Sequence, residues 1–267
     1  MLRGQVAVIS GGLGDIGRAI ARTLAHAGAD IALSDLHAPE AGADFCAELT
    51  QLGVKARYER VDVSDARAVK AWLRGVEASL GLPTLIVPNA AIVSVTTGLA
   101  LTEETWSREL RVNLDGAFFL AQAAAQRLVE QKRAGRIVFI GSWAGHSPHP
   151  HITAYSVSKA ALRMLMKCLA HELAPHGVLV NEVAPGYVDA GLSGRFFSAD
   201  PAVRADAQSR VPIQALIESD DVARQVVHLC DPQNRHMTGS VLLMDGGLSL
   251  VSAGNSKAPL QLEGKRA

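Results

Sequence analysis

Residues 5–17 of the chain read Gln-Val-Ala-Val-Ile-Ser-Gly-Gly-Leu-Gly-Asp-Ile-Gly. The apolar run at 5–10 predicts a buried strand. The next segment, 18–27, repeats its apolar residues with a helical period and stops at Gly28, a typical helix end. Strand, glycine-rich turn and helix in this order are typical of a mononucleotide-binding unit. The glycines let the backbone approach a pyrophosphate, and the helix N-terminus offers it free N–H groups.

The rest of the chain continues to alternate between strands and helices. The apolar pattern predicts further strands at 30–34, 54–61, 84–87, 137–140, 179–184 and 240–244. It predicts helices at 39–52, from a cap at Ser64 to 80, at 102–132 with Thr102 as cap, at 154–174, and after a cap formed by Ser219, Asp220 and Asp221. Only residues 187–216 lack a strong pattern. This alternation predicts an α/β fold, namely one Rossmann-like, doubly wound and largely parallel sheet of about seven strands with helices on both faces.

Composition limits the class of protein. Lysine plus arginine and aspartate plus glutamate number 26 each and form no run of like charge, so we expect neither nucleic acid nor a membrane surface as partner. No apolar run is long enough to span a bilayer, and no signal-peptide pattern precedes the first strand. The 3 cysteines are scattered, which argues against disulfides and favours a cytoplasmic location. We expect a single catalytic domain over 1–252 and a polar C-terminal tail over 253–267.

Residues that can hold a ligand follow the predicted strands directly. Ligands of doubly wound sheets bind outside the carboxyl ends of the strands. The residues at these ends include Gly11, Asp35, Asp62, Asn89, Ser142 and Pro185. We therefore expect one binding site along this edge of the sheet.

Asp35 favours one cofactor over another. A carboxylate at the end of the second strand can accept hydrogen bonds from the ribose hydroxyls of adenosine. It would repel a 2′-phosphate, and neither Leu36 nor His37 is an arginine that could hold one. The sequence thus favours NAD over NADP.

Residues 142–159 contain the strongest candidates for chemistry: Ser142, Tyr155 and Lys159. Tyr155 and Lys159 are spaced i, i+4 on a predicted helix, so they share one face. An ammonium nearby favours the phenolate and lowers the pKa of a tyrosine. Ser142 follows the strand at 137–140, and a loop can bring its hydroxyl to the phenol. These groups could bind a carbonyl or alcohol oxygen and move its proton, although the same Tyr–Lys spacing also occurs on ordinary exposed helices.

With these residues identified, nearly the whole chain resembles the short-chain dehydrogenase/reductase family. Ser142, Tyr155 and Lys159 match the family's Ser-x12-Tyr-x3-Lys pattern. Asn113, in Arg-Val-Asn-Leu-Asp-Gly, matches the asparagine of its catalytic tetrad. Further matches are Asp62-Val63, Asn89-Ala90, Asn181 with Pro185-Gly186, and the Asp-Gly-Gly at 245–247.

The resemblance implies a role for each matched residue. Tyr155 would be the general acid/base, and Ser142 would hold the substrate oxygen. Lys159 would bind the nicotinamide ribose and lower the pKa of Tyr155, while Asn113 would order water in a proton relay towards Lys159. Asp35 would take the adenosine ribose and Asp62 the adenine. Cofactor contacts are expected at Gly11, Leu13, Gly14, Asp15, Ile16, Gly17, Asp35, Leu36, Asp62, Val63, Asn89, Ala90, Ala91, Tyr155, Lys159, Pro185, Gly186 and Val188.

Three positions depart from the family pattern. Asp15 stands where a glycine is usual, and an anion there should repel a pyrophosphate unless it turns away to cap the helix, which we expect. Pro88 replaces the first asparagine of the Asn-Asn-Ala-Gly turn. Ala190 stands where a threonine often holds the carboxamide. We expect these departures to change cofactor affinity rather than the chemistry.

The substrate is expected to lie against two segments, the loop after Ser142 and the stretch after Pro185. They offer Trp143, His146, His149, His151, Tyr187, Asp189, Ser193 and Arg195. The histidines have no Asp, Glu or Cys nearby, so we interpret them as loop surface or pocket lining and expect no metal site. Substrate contacts are predicted at Ser142, Trp143, His149, His151, Tyr155 and Tyr187.

The polar side chains of these segments suit a sugar or polyol, so we expect NAD-dependent oxidation of a secondary alcohol. One alternative is an NADPH-dependent carbonyl reductase. Another is a nucleotide-sensing or scaffolding protein on the same fold. The resemblance also implies a homotetramer.

Overall fold

The computed structural model describes residues 1–250, except for the side chains of Ser193, Arg195, Phe196 and Ser198. Within residues 1–250, seven strands form one parallel sheet in the order β3-β2-β1-β4-β5-β6-β7. The strands are β1 (Val6–Ser10), β2 (Asp30–Asp35), β3 (Ala56–Arg60), β4 (Leu85–Val87), β5 (Gly135–Ile140), β6 (Val178–Pro185) and β7 (Val241–Met244). The helices are α1 (Asp15–His26), α2 (Pro39–Gln51), α3 (Ala66–Leu80), α4 (Glu103–Leu110), α5 (Ala117–Glu130), α6 (Thr153–Leu173), α7 (Gly191–Ala199), α8 (Pro201–Arg210) and α9 (Ser219–Cys230). The predicted fold class is confirmed.

The core has two layers because successive residues of a strand point to opposite faces of the sheet. In β1, Ala7 and Ile9 belong to one cluster of buried residues, together with side chains from α1, α2 and α9. Val6 and Val8 belong to the other cluster, with side chains from α3, α5 and α6. A parallel sheet covered by helices on both faces follows from this double burial.

The strand order reverses at β1, which pairs with β2 on one side and β4 on the other. Asn89, just after β4, closes this point: its Nδ2 donates to the carbonyl oxygens of Ser10 and Gly11, each at 3.0 Å. The Asn89 side chain therefore stabilises the end of β4 against β1. A crevice at such a reversal is where doubly wound sheets bind ligands.

Two predicted helix caps are wrong by one residue. Asp65, not Ser64, caps α3, and its carboxylate accepts the N–H groups of Arg67 and Ala68. Glu218, not Ser219, caps α9 and forms a capping box with Asp221. In both cases a carboxylate takes the cap position beside the predicted serine, because it accepts hydrogen bonds from the N–H groups at the helix start.

Two predicted segments have a different internal structure. The helix predicted at 102–132 begins at Glu103 with Thr102 as its cap, as expected, but a π-helical turn at Arg111–Gly116 separates α4 from α5. The stretch without pattern contains α7 and α8. Within residues 1–250, no helix combines the length and apolar character that a membrane span requires. The predicted tail at 253–267 lies outside the described residues.

Candidate active site

A cavity of about 700 Å³ opens along the carboxyl ends of the strands. The predicted substrate contacts line its wall, as do all but one of the predicted cofactor contacts. The exception is Leu13, which instead donates its N–H to Asp35. Asn113, predicted as catalytic, also lies behind the wall formed by the described residues. The structure thus brings most of the predicted site into one crevice.

The glycine loop between β1 and α1 turns too tightly for side chains. A Cβ added to Gly17 would lie 2.2 Å from the carbonyl oxygen of Gly11, and Gly11 itself has a φ of +64°. Side-chain-bearing residues are therefore excluded at both positions. The loop leads into the N-terminus of α1, where the cap residue Gly14 contributes no side-chain hydrogen bond. This cradle, with N–H groups at a helix start, fits a dinucleotide pyrophosphate.

Asp35 and Asp62 hold the loops at the end of the cavity where the adenosine is predicted to lie. One carboxylate oxygen of Asp35 accepts the N–H of Leu13 at 3.1 Å. The other accepts the N–H of Leu36 at 2.8 Å and lies 3.0 Å from Nδ1 of His37. Asp62 accepts both the N–H and the hydroxyl of Ser64. Because a carboxylate has about four acceptor positions, both groups keep capacity for a ligand hydroxyl or amine.

The expected role of Asp15 as a helix cap is wrong. Gly14 is the cap residue of α1, and the Asp15 carboxylate instead accepts the N–H of Gly191 at 2.7 Å. Gly191 begins α7, so this hydrogen bond joins the cofactor loop to the segment that covers the cavity. Asp15 is the first residue of α1, one position after the cap, and its carboxylate accepts one of the N–H groups that the start of α7 leaves without a partner inside the helix.

Tyr155, Ser142 and Lys159 meet at the centre of the crevice. Burial raises the pKa of Tyr155 to about 12, and a hydrogen bond with Ser142 acts in the opposite direction. Nζ of Lys159 lies 5.4 Å from the centre of the Tyr155 ring and donates to the carbonyl oxygen of Ile140 at 2.8 Å. Burial also lowers the pKa of Lys159 to about 8. The sequence predicts that Lys159 lowers the pKa of Tyr155. In the structure the pKa of Tyr155 is raised instead, because burial, which removes the phenol from water, is the largest influence on it.

Asn113 lies in the π-helical turn and holds the loop after β4. Its Oδ1 accepts the N–H of Ile92 at 2.8 Å, and its Nδ2 donates to the Ile92 carbonyl at 2.9 Å. Nδ2 also lies 3.2 Å from the hydroxyl of Ser158. Both donors of the amide are therefore used inside the protein, and only Oδ1 retains a lone pair for water. π-helical turns occur frequently at functional sites, which agrees with this position.

Glu109 is a buried acid that the sequence reasoning missed. It lies on α4, and its Oε2 accepts the N–H of Ser94 at 3.1 Å. Burial raises the pKa of Glu109, and its charge adds to the rise in the pKa of Tyr155. Glu109 is the only buried residue of α4, and nothing in the local sequence distinguishes it from the exposed Glu103 and Glu104 of the same helix.

The end of the cavity where the substrate is predicted to lie is aromatic. The rings of Trp143, His149 and Tyr187 meet edge to face, with centroids 5.5 to 6.1 Å apart, and Phe197 packs on Tyr187 at 6.2 Å. Nδ1 of His149 lies 2.7 Å from the Pro150 carbonyl, and burial lowers the pKa of His149. The neutral imidazole thus belongs to an aromatic wall.

Only some of the other side chains predicted to face the substrate lie at the cavity. His151 lines the cavity, whereas His146 is not among the described lining residues. Asp189 is paired with Arg204, and the side chains of Ser193 and Arg195 lie outside the described part. The lining residues that the sequence did not indicate include Val95, Ile152, Phe197, Val203, Ala207 and Arg210.

Comparison with known proteins agrees with this geometry. A family model described as enoyl-(acyl carrier protein) reductase, adh_short_C2, matches residues 12–249. An uncharacterized oxidoreductase, YohF, from Escherichia coli K12 is 34% identical over 249 residues, which cover 93% of this chain and 97% of the relative. An L-rhamnose 1-dehydrogenase (NAD(P)(+)) from Sphingomonas sp. SKA58 is 31% identical, with coverage of 93% and 97%.

A solved structure shares the fold over the same length. The crystal structure of a short-chain type dehydrogenase/reductase from Mycobacterium marinum superposes with a TM-score of 0.86 and 32% identity. The match covers 93% of this chain and 96% of that one. The similarity therefore extends over the sheet, the glycine loop and the crevice together.

Proposed function

This chain belongs to the short-chain dehydrogenase/reductase family, and from that membership we propose that it oxidises a secondary alcohol with NAD+, with Tyr155 as the general acid/base. The observation that carries the proposal is the convergence of Tyr155, Ser142 and Lys159 in one crevice with the glycine loop. A protein that only senses nucleotides would need the loop but not the buried phenol and ammonium.

The chain's own residues would bind the alcohol and move its proton. Nicotinamide dinucleotides supply hydride acceptance when bound. Gly11, Gly14 and Gly17 would hold the pyrophosphate, and Asp35 the adenosine ribose. The phenolic oxygen of Tyr155, as phenolate, would take the hydroxyl proton of the alcohol while Ser142 donates a hydrogen bond to the same oxygen. The ammonium of Lys159 would stabilise the phenolate, and the aromatic wall would exclude water.

NAD is favoured over NADP by the surroundings of Asp35. Its carboxylate lies at the adenosine end of the cavity and retains acceptor capacity for ribose hydroxyls. The same negative charge would repel a 2′-phosphate. Side-by-side saturation with the two cofactors tests this, and NADP+ is expected to bind much more weakly. An Asp35→Ala variant should have a smaller difference between its affinities for NAD+ and NADP+. Equal affinities of the unchanged protein for the two cofactors would favour the NADPH-dependent carbonyl reductase.

A ring-bearing hydroxylated substrate such as a sugar fits the two kinds of surface in the cavity. The apolar C–H face of a sugar ring can pack on Trp143 and Tyr187, while its hydroxyls remain available to Ser142, Tyr155 and His151. Similarity to an L-rhamnose 1-dehydrogenase supports this class. The aromatic wall also admits more hydrophobic alcohols, so the test must include them.

A substrate screen with the purified protein decides the question. NADH formation is followed by absorbance with polyols, aldoses, small hydroxyketones and hydroxysteroids. Turnover of a sugar or polyol that disappears in Tyr155→Phe supports the proposal. Turnover of hydrophobic alcohols alone would refute the sugar assignment, and undiminished turnover in Tyr155→Phe would refute the mechanism.

We also infer a cytoplasmic homotetramer. The cysteines Cys46, Cys168 and Cys230 are all free thiols, which suits a reducing compartment. Family members commonly form oligomers, and sedimentation velocity measures the state directly.

A further inference from the structure

A buried ion pair lies directly behind the candidate active site. Arg163 is one helical turn after Lys159 on α6, and Glu182 lies in β6. The guanidinium donates through Nε to Oε2 of Glu182 at 3.0 Å and through Nη2 to Oε1 at 2.8 Å. The side chain of Glu182 is fully buried, and that of Arg163 is 13% exposed. This two-point geometry fixes both side chains.

The pair also contacts the main chain that carries the catalytic serine. Nη2 of Arg163 donates a further hydrogen bond to the carbonyl oxygen of Ser142 at 3.1 Å. Gly141 leaves space for the carboxylate, because an added Cβ would lie 1.9 Å from Oε1 of Glu182. The segment from Gly141 to Ser142 is therefore shaped around the ion pair.

Two cations of α6 hold the end of β5. Lys159 donates to the carbonyl of Ile140, and Arg163 donates to the carbonyl of Ser142. Bringing both cations out of water is unfavourable unless a negative charge accompanies them. Among the described residues, Glu182 provides that charge from β6.

Stability alone does not explain the pair. Replacing a buried ion pair with apolar residues of similar volume is often neutral or stabilising, so such a pair is weak evidence for a role in folding. Its contact with Ser142 and its charge beside Lys159 point to a role in the chemistry instead.

We propose that the Arg163–Glu182 ion pair is a positioning device of the active site, which fixes Ser142 at the end of β5 and sets the electrostatic surroundings of Lys159. The inference rests on the proposed dehydrogenase function. Neither Arg163 nor Glu182 lines the cavity among the described residues, so both act through the serine and the lysine.

The charges around Lys159 support this role. Burial lowers its pKa, and Glu182 is the charged group that raises it again. Tyr155 and Arg163 flank Lys159 on its own helix, and Glu109 on α4 acts on Tyr155. Loss of the Glu182 charge should therefore favour the neutral amine of Lys159.

The first test separates positioning from folding. The double variant Arg163→Met/Glu182→Leu removes both charges at similar volume, and it is expected to fold with a melting temperature near that of the unchanged protein. Its kcat should fall by roughly tenfold or more, because small displacements of a catalytic group are costly. The single variant Arg163→Lys keeps a cation beside Glu182 but loses the planar guanidinium that makes two parallel hydrogen bonds, so it should retain only part of the kcat of the unchanged protein.

The second test does not depend on turnover. The pKa of Lys159 is measured by NMR of ¹³C-labelled lysine, with Lys159→Arg used to assign the resonance. Glu182→Gln should lower that pKa, since the compensating anion is gone. Full kcat in the folded double variant would overturn the positioning role, and an unchanged Lys159 pKa would overturn the electrostatic role. If the double variant does not fold, the kcat of Arg163→Lys decides the first point.

The two proposals can fail separately. If the unchanged protein oxidises no alcohol while Glu182→Gln still lowers the pKa of Lys159, the dehydrogenase assignment fails and the coupling stands. If alcohol turnover is normal in the unchanged protein and in every variant of the pair, the coupling fails and the dehydrogenase assignment stands.

Discussion

Nζ of Lys159 lies 5.4 Å from the centre of the Tyr155 ring, and its hydrogen bond goes to the carbonyl of Ile140. The two side chains share a buried site, and loss of a proton from either one gives the pair the same net charge. Burial raises the pKa of Tyr155 to about 12 and lowers that of Lys159 to about 8. The first proton therefore leaves the pair near pH 8. One form of the resulting pair, with phenolate and ammonium, can accept a proton from an alcohol.

The pH profile should reflect that first proton. We expect kcat/KM for alcohol oxidation to rise through about pH 8, because the pair must lose a proton before it can act as a base. We expect kcat/KM for carbonyl reduction to fall through the same pH, because reduction needs the fully protonated pair. In Lys159→Met the rise of kcat/KM for oxidation should shift to higher pH, and kcat/KM at pH 8 should fall by roughly 100-fold or more.

Lys167→Met is the matched control for this change, since Lys167 is an exposed lysine on the same helix. It should leave both limbs in place. A limb that stays near pH 8 in Lys159→Met would show that another group titrates.

Gly17 and Gly14 form a matched pair for testing the cofactor loop. Gly17→Ala would place a Cβ 2.2 Å from the Gly11 carbonyl oxygen, a backbone atom that cannot move aside. At Gly14 the nearest atom would be 3.6 Å away, and the φ of −71° suits alanine. We expect Gly17→Ala to weaken NADH binding by about tenfold or more, as measured by calorimetry, and Gly14→Ala to bind nearly normally. Equal effects at the two positions would contradict the cradle geometry.

The sequence could predict what depends on local pattern. The strand and helix periodicities locate the carboxyl ends of the strands, and a parallel sheet brings those ends together. Asp35, Asn89 and Ser142 therefore line one cavity at this edge of the sheet. The glycines of the loop could also be predicted, because the tight turn between strand and helix brings the backbone of Gly11 against Gly17 and leaves no room for a side chain there.

The rest of the site depends on contacts between distant parts of the chain. Asp15 accepts from Gly191, and Arg163 pairs with Glu182 across α6 and β6, which no local pattern specifies. The π-helical turn around Asn113 interrupts a stretch whose helical pattern is continuous in sequence. Packing and burial determine these features, so they are visible only in the fold.

The charge of the Asp15 carboxylate, which accepts a hydrogen bond from Gly191, should weaken cofactor binding. Asp15→Asn retains an acceptor for the N–H of Gly191 but removes a negative charge from the N-terminus of α1. We expect this variant to bind NADH a few-fold more tightly, because it removes the repulsion between the carboxylate and the pyrophosphate, and interactions between exposed charges are worth about 0.2–1 kcal/mol. Calorimetry at low salt measures the difference, which should shrink as salt is added.

Asp15→Ala separates the charge from the hydrogen bond. It removes both, so the gain in cofactor affinity should persist while the start of α7 loses its attachment. The KM for the alcohol should then rise in Asp15→Ala but not in Asp15→Asn. An affinity for NADH that is unchanged in both variants would mean that the carboxylate exerts no repulsion.

The stability of the fold should depend on pH through Cys230. Burial raises the pKa of this thiol from 9.0 to about 12. Between these values the unfolded chain loses the thiol proton while the folded chain keeps it, so the free energy of unfolding falls as pH rises. One such group contributes about 1.4 kcal/mol per pH unit within that window. Burial lowers the pKa of Lys159 from 10.5 to about 8, so between these values Lys159 makes the free energy of unfolding rise with pH. The pH dependence of the whole protein is the sum of such contributions.

Comparing the protein with Cys230→Ala isolates this one group, because every other titration is common to both. Cys230→Ala should be less stable at pH 8 by a constant cavity term, and this deficit should shrink by about 1 kcal/mol between pH 9 and 10, since the thiol of the unfolded chain is already half ionised at pH 9. Urea unfolding with reductant present measures the free energy at each pH. Parallel curves for the two proteins would mean that the thiol ionises as easily in the folded chain as in the unfolded one, so burial at the end of α9 would not protect it.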